Sequence, residues 1–155
     1  MNVHPEFSLP ACAFEIGESF RRELVFDADS IRQFAAMCGD TNPLHHDEAY
    51  ARTTRFGGLI ASGGHYSALM MGAVADYMTK KSDALGLEFN FRFLKAVPAG
   101  SRLTLVWTVR GIEPKPRLHG HILSLEGELQ GPDGTIYVSA TSKGLAVSGD
   151  RLTTG

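Results

Sequence analysis

Cysteine is scarce: Cys12 and Cys38 are the two among 155 residues, and they share no paired spacing. That argues against a disulfide framework and against a cysteine-based zinc site, and it fits a reducing compartment. Basic blocks are missing as well. The 15 basic and 17 acidic residues give a formal net charge of −2, with no cationic stripe, so the electrostatic footprint of a nucleic-acid binder is absent and no nucleic-acid partner is expected. No apolar run approaches the roughly 20 residues that span a bilayer. Met1-Asn2-Val3-His4-Pro5-Glu6 lacks the basic start and apolar run of a signal peptide. A soluble, cytoplasmic protein without a membrane partner is expected. Glycine-rich phosphate loops are missing, and Ser62, Ser67 and Ser139 have no nucleophile-elbow context. No internal repeat or low-complexity segment occurs.

What is present is ordinary globular material. Hydrophobic residues make up 43% and charged residues 21%, enough for one domain with its own core. Residues 1–13, with Pro5 and Pro10, show no period and read as an N-terminal arm. The polar, glycine-ended stretch 148–155 reads as a flexible tail, which leaves 14–147 as the domain. Phe14 to Phe26 suggests one or two strands. Asp27 offers a helix N-cap, Ile31, Phe34, Ala35 and Cys38 follow at the spacing of one helical face, and Gly39 stands where a left-handed glycine ends a helix. Asp40 to Pro43 must be an ordered loop, because Pro43 restricts Asn42 and lacks its own donor. His45 to Arg55 is polar and partly helical at best. A longer helix is predicted over about 63–79, with Tyr66, Leu69, Met70, Ala73, Val74 and Tyr77 on one face and small Ala68, Gly72 and Ala75 on the same turns. It is expected to be buried on most sides.

The rest is strand-like. Leu87, Phe89, Phe91 and Phe93 alternate with polar residues, and so do Leu103, Leu105, Trp107 and Val109. Pro114 and Pro116 bracket an expected loop. Ile122, Leu123 and Leu125 mark a third strand, and Pro132-Asp133-Gly134 is a hairpin signal before Ile136, Val138 and Ala140. The pattern is α+β: one helix wrapped by one curved antiparallel sheet. Such a sheet leaves an edge and part of a face open, which a second copy would cover, so a homodimer is expected.

The densest polar cluster is Gly39-Asp40-Thr41-Asn42-Pro43-Leu44-His45-His46-Asp47. It puts a carboxylate and an imidazole five residues apart on a proline-stiffened loop. Such a pair can share one water, one acceptor taking a proton while the other orients the lone pair. A plain helix C-cap followed by an Asx turn accounts for the same residues. A metal site at His45, His46 and Asp47 is disfavoured: adjacent histidines should point apart and no cysteine joins them. No metal is expected. Ala61-Ser62-Gly63-Gly64-His65 opens the long helix, where free N–H groups and the helix dipole could hold an oxyanion. A glycine-rich approach to a crowded helix explains it equally. His65 could reach a ligand or simply pack. His119 and His121 fall on a predicted strand and read as surface or structural. Met70-Met71 and Phe89-Phe91-Phe93 read as core.

From Phe34 to Ala51 the sequence resembles the signature of the MaoC-like dehydratase family, which contains the (R)-specific enoyl-CoA hydratases. Phe34, Cys38, Gly39, Asp40, Asn42, Pro43, Leu44, His45 and Ala51 carry the match. Met37 departs mildly, standing where a smaller aliphatic residue is usual. Leu59 to Gly63 and Phe91 to Gly100 extend the resemblance, so that about residues 14–147 are covered. Ser62 departs where the family often has His, which bears on substrate choice. The resemblance implies a hot-dog fold, a dimer, and an acyl-CoA thioester near its interface. Coenzyme A then enters as part of the substrate, with no separate cofactor. Carried over by residue, Asp40 and His45 activate the water that adds to the β-carbon. Gly63 or Gly64 polarises the thioester carbonyl, while Asn42 and Ser62 support the site. A hot-dog acyl-CoA thioesterase is the rival enzyme. It typically uses a carboxylate on or near the central helix, and Gly57 to Val74 contains none. A non-catalytic hot-dog subunit is the other alternative; it would be expected to have lost Asp40 or His45.

Overall fold

The structure is a computed structural model that describes residues 8–147. The expected tail at 148–155 and the first seven residues of the expected arm lie outside the described residues. Residues 8–13 form neither helix nor strand. Phe14 is already in the core at 2% exposure. One strand, not two, follows it: β1, Ser19–Phe26.

Asp27 then caps α1, Ala28–Cys38, by accepting from the Ser30 N–H at 2.8 Å. Gly39 ends α1 at φ 73°, a left-handed conformation open to glycine at low cost. A 3-10 turn, Pro43–His45, and a short helix α2, Glu48–Arg52, carry the polar segment. The long helix α3, Gly63–Thr79, has the predicted bounds. Four further strands follow among the described residues: β2, Asp83–Phe93; β3, Ser101–Lys115; β4, Gly120–Gln130; and β5, Ile136–Val147. They form one antiparallel sheet in the order β1-β3-β4-β5-β2.

The core lies between the sheet and α3. Leu103, Leu105, Trp107 and Val109 of β3, Leu123, Leu125 and Leu129 of β4, and Val138 of β5 meet Met70, Ala73, Val74 and Met78 of α3. Period-2 alternation sends Arg102, Thr104 and Thr108 to the other face. Trp107 pairs with Gly127, where an added Cβ would sit 2.5 Å from the indole. The glycine is the space the tryptophan occupies.

Several expectations need correction. Helix α3 is not buried on most sides: Gly64, Ala68, Met71, Gly72, Ala75 and Thr79 form an exposed stripe along it. Pro114 belongs to β3, opposite His121, and is not in a loop. Strand β1 reaches only Thr108, so β3 beyond it has a neighbour on one side and tolerates a residue without a donor. His119 lies off the strand, at a φ of 54° after the 3-10 turn Pro116–Leu118. His121 is on β4 and buried. Phe89 and Phe91 pack on the core, but Phe93 is 56% exposed.

Candidate active site

The loop after α1 is closed by its own backbone. The Asp40 N–H donates to the Ala35 carbonyl at 2.9 Å, and the His45 N–H donates to the Asn42 carbonyl at 3.0 Å. Asn42 Oδ1 accepts from the Leu44 N–H at 3.1 Å, capping the 3-10 turn that Pro43 starts. Asp40 Oδ1 accepts from the Asn42 N–H at 3.0 Å. The Asx turn anticipated from the sequence is therefore real, and it occupies one carboxylate oxygen. The other, Oδ2, faces His45 Nε2 at 3.5 Å.

His45 is buried, 6% exposed, and its Nδ1 lies 2.7 Å from the Ile60 carbonyl oxygen. A carbonyl can only accept, so Nδ1 carries the proton. In the neutral ring Nε2 then keeps its lone pair, beside Asp40 Oδ2. Two acceptors 3.5 Å apart do not bond each other, but one water can donate a hydrogen to each. Ile60 is itself fixed. Its N–H donates to the Leu44 carbonyl at 3.1 Å, and its neighbours pair with 97–99 through Ala61 N–H to Val97 (2.8 Å) and Ala99 N–H to Leu59 (2.8 Å). The segment that orients His45 thus runs directly into the start of α3.

Ser62 caps that helix, its Oγ accepting from the His65 N–H at 3.3 Å. The Gly63 and Gly64 N–H groups have no hydrogen-bond partner among the described residues. Two donors and the positive end of a 17-residue helix therefore lie three and four residues beyond Ile60. Gly63 is covered on one side by the Phe93 ring, which packs edge-on to Tyr66 at 5.2 Å. A Cβ on Gly63 would fall 2.5 Å from that ring.

His65 packs. It stacks on Phe34 at 4.7 Å and meets Phe26 edge-on at 5.3 Å, with Nδ1 buried and without a hydrogen-bond partner among the described residues. Burial holds its imidazole below the ordinary value, against a weaker upward pull from Asp27.

Sequence reasoning missed three parts. The Ile60 carbonyl is invisible to residue type. Phe93 ends a regular alternation, and nothing in that period marks it as lying over a helix terminus. His46 does not diverge to unrelated surroundings: its Nε2 lies 2.5 Å from the Asp40 carbonyl oxygen. The two adjacent imidazoles meet Asp40 from its side-chain and main-chain sides. Among the described residues no group of three or more His, Cys, Asp or Glu could hold a metal ion.

The MaoC like domain profile matches residues 13–122, a span that includes the loop, the 3-10 turn and α3. The chain belongs to the MaoC-like domain family. Its MaoC-like relatives include the (R)-specific enoyl-CoA hydratase of Aeromonas caviae, 33% identical over 85 residues, which are 54% of this chain and 63% of that protein. The enzyme of the same name from Rhodospirillum rubrum is 32% identical over 101 residues, 65% of this chain and 69% of the relative. A UPF0336 protein of Streptomyces griseus is 26% identical over 145 residues, 88% and 87% of the two chains. The solved A. caviae (R)-hydratase superposes with a TM-score of 0.79 at 25% identity, covering 89% of this chain and all of that one. The five-stranded antiparallel sheet with its central helix is thus the hot-dog fold of the MaoC-like hydratases.

Proposed function

We propose that this MaoC-like protein is a hydro-lyase that adds water reversibly to a trans-2-enoyl-CoA thioester, giving (R)-3-hydroxyacyl-CoA. The supporting observation is the pair of acceptors 3.5 Å apart, Asp40 Oδ2 and His45 Nε2, with the imidazole tautomer set by the Ile60 carbonyl. A water held between them loses one proton to the pair as its oxygen bonds to the β-carbon. Electron density moves through the α-carbon to the thioester oxygen, where the Gly63 and Gly64 N–H groups and the α3 dipole stabilise the enolate. The enolate collapses as the pair returns a proton to the α-carbon. Water supplies every atom added and no electrons leave, so coenzyme A enters as part of the substrate and no further cofactor is needed. Asn42 shapes the loop and Ser62 the helix start; neither transfers a proton. The hydratase names of two relatives support the substrate class. The fold's exposed helix face and sheet edge support a homodimer.

The test is a spectrophotometric hydration assay over a panel of trans-2-enoyl-CoA thioesters, with chiral analysis of the product and Asp40→Asn as control. Loss of the enoyl absorbance with an (R) product is expected, because water and carbonyl are each held from one side. A racemic or (S) product would sink the fixed-water mechanism. Free coenzyme A as the main product would move the protein to the thioesterase reading, and inertness toward the whole panel would favour a non-catalytic subunit.

A further inference from the structure

We propose that His46 is a positioning residue for the Asp40–His45 pair, an inference that rests on the hydration reading. A carbonyl only accepts, so the 2.5 Å contact to the Asp40 oxygen requires a proton on His46 Nε2. Asp40 is then held at its N–H by Ala35 and at Oδ1 by the Asn42 N–H. With its carbonyl held by His46, Oδ2 is left as the one polar atom that these bonds do not take. The His46 main chain is tied down in turn: its backbone N–H donates to the Pro43 carbonyl at 3.1 Å, and its backbone carbonyl accepts from Arg32 Nε at 3.3 Å. The Arg32 guanidinium lies 3.7 Å from Glu48 and 3.5 Å from Asp29, joining α1 to α2 across the loop. His45 is anchored separately, on Ile60. Removing the His46 bond therefore takes one of three restraints from Asp40 while His45 keeps its anchor. Two groups that share one water tolerate little such relative motion. The loss should fall on turnover, not on substrate binding.

Wild type, His46→Leu and His46→Gln are compared, each with and without Asp40→Asn. The Gln amide can place a donor near the position of Nε2. His46→Leu should lower kcat about tenfold or more with KM within about threefold, and His46→Gln should recover most of it. With Asp40→Asn already present, His46→Leu should cost less than about twofold more, since the group it positions is gone. Imidazole nitrogen NMR on the full chain gives a readout independent of turnover. His46 should appear as the Nε2–H tautomer and His45 as Nδ1–H, and His46→Leu should shift the His45 Nε2 signal. Unchanged kcat in His46→Leu, or the same fractional loss with and without Asp40→Asn, overturns the proposal. So does an Nδ1–H tautomer at His46. If wild type hydrates none of the thioesters, the hydratase reading fails, and the NMR comparison still decides whether His46 positions the pair.

Discussion

Asp40 Oδ1 is occupied by the Asn42 N–H, and the Asp40 side chain keeps 38% exposure beside a His45 side chain at 8%. One acceptor is therefore open to incoming water and the other is sheltered. Replacing either should cost at least about a hundredfold in turnover, the usual scale for a positioned acid–base group. Asp40→Asn and His45→Gln should be far from additive in the double variant, since in the proposed hydration both would act on one water. Full activity in either single variant with altered melting alone would contradict the assignment. His65 gives a second test at this scale. Its folded value lies below the ordinary 6.5. As pH falls through 6.5 the unfolded chain takes up a proton that the buried imidazole refuses, so stability declines; above that pH the group adds no slope. His65→Phe, which keeps a ring against Phe34, should lose less stability than wild type between about pH 7.5 and about pH 5.5 in urea titrations. Equal losses would remove His65 as the cause. At the residue scale the sequence pointed to Asp40, Asn42 and His45 as candidates, because motif spacing fixes residue types, and Asp40 Oδ2 does lie 3.5 Å from His45 Nε2. The atoms holding them were not legible, since a main-chain carbonyl such as that of Ile60 carries no signature.

Elements were most legible where one residue type performs one local task. Asp27 as N-cap, Gly39 as C-cap and the 63–79 helix are where their chemistry put them. The Pro132-Asp133-Gly134 turn is likewise formed, with Asp133 Oδ1 accepting from the Thr135 N–H at 3.0 Å. Elements were least legible where tertiary partners decide. Pro114 in β3 depends on where β1 stops. The exposed α3 stripe depends on Ala68, Gly72 and Ala75, which are apolar yet carry too little surface to dictate a buried side. Phe93 follows the strand period but runs past the core. Gly127 shows how one element constrains another. Its missing side chain is filled by the fully buried Trp107, so Gly127→Ala should destabilise the fold by about 1–3 kcal/mol through overpacking. Denaturant titration checks this, and a neutral result would mean that the indole can shift. At the helix start, Ser62→Ala should cost about 1 kcal/mol, the usual price of a lost N-cap. Ser62→Asp, which can still accept from the His65 N–H, should recover most of that stability in the same titration.

The whole molecule leaves two adjoining apolar features uncovered. Strand β2 is an edge of the sheet, with Leu85 at 47% and Leu87 at 55% exposure. Beside it runs the α3 stripe, with Met71 at 41% and small glycine, alanine and threonine residues elsewhere, flat enough for a second helix to approach. Between them lies a groove of about 310 Å³ bordered by Met71, Val74, Met78, Ala84 and Phe89. Among the described residues no helix is long and apolar enough to cross a membrane, so a bilayer-spanning α3 does not explain these surfaces. A second copy would, because a two-fold axis turns one edge and one stripe into their own complements. Antiparallel pairing of two β2 edges centred on Asn90 would set Glu88 opposite the partner's Arg92 on both sides, and opposite charges across a strand pair are favourable. Light scattering should therefore give a homodimer at micromolar concentration. Leu87→Asp, a charge on the edge, should shift it toward monomer. Arg92→Glu should weaken the dimer by setting like charges opposite, and adding Glu88→Arg should restore it. A well-folded wild-type monomer would end the dimer expectation. A dimer indifferent to all three changes would place the interface elsewhere, with the β1 edge as the remaining open side of the sheet.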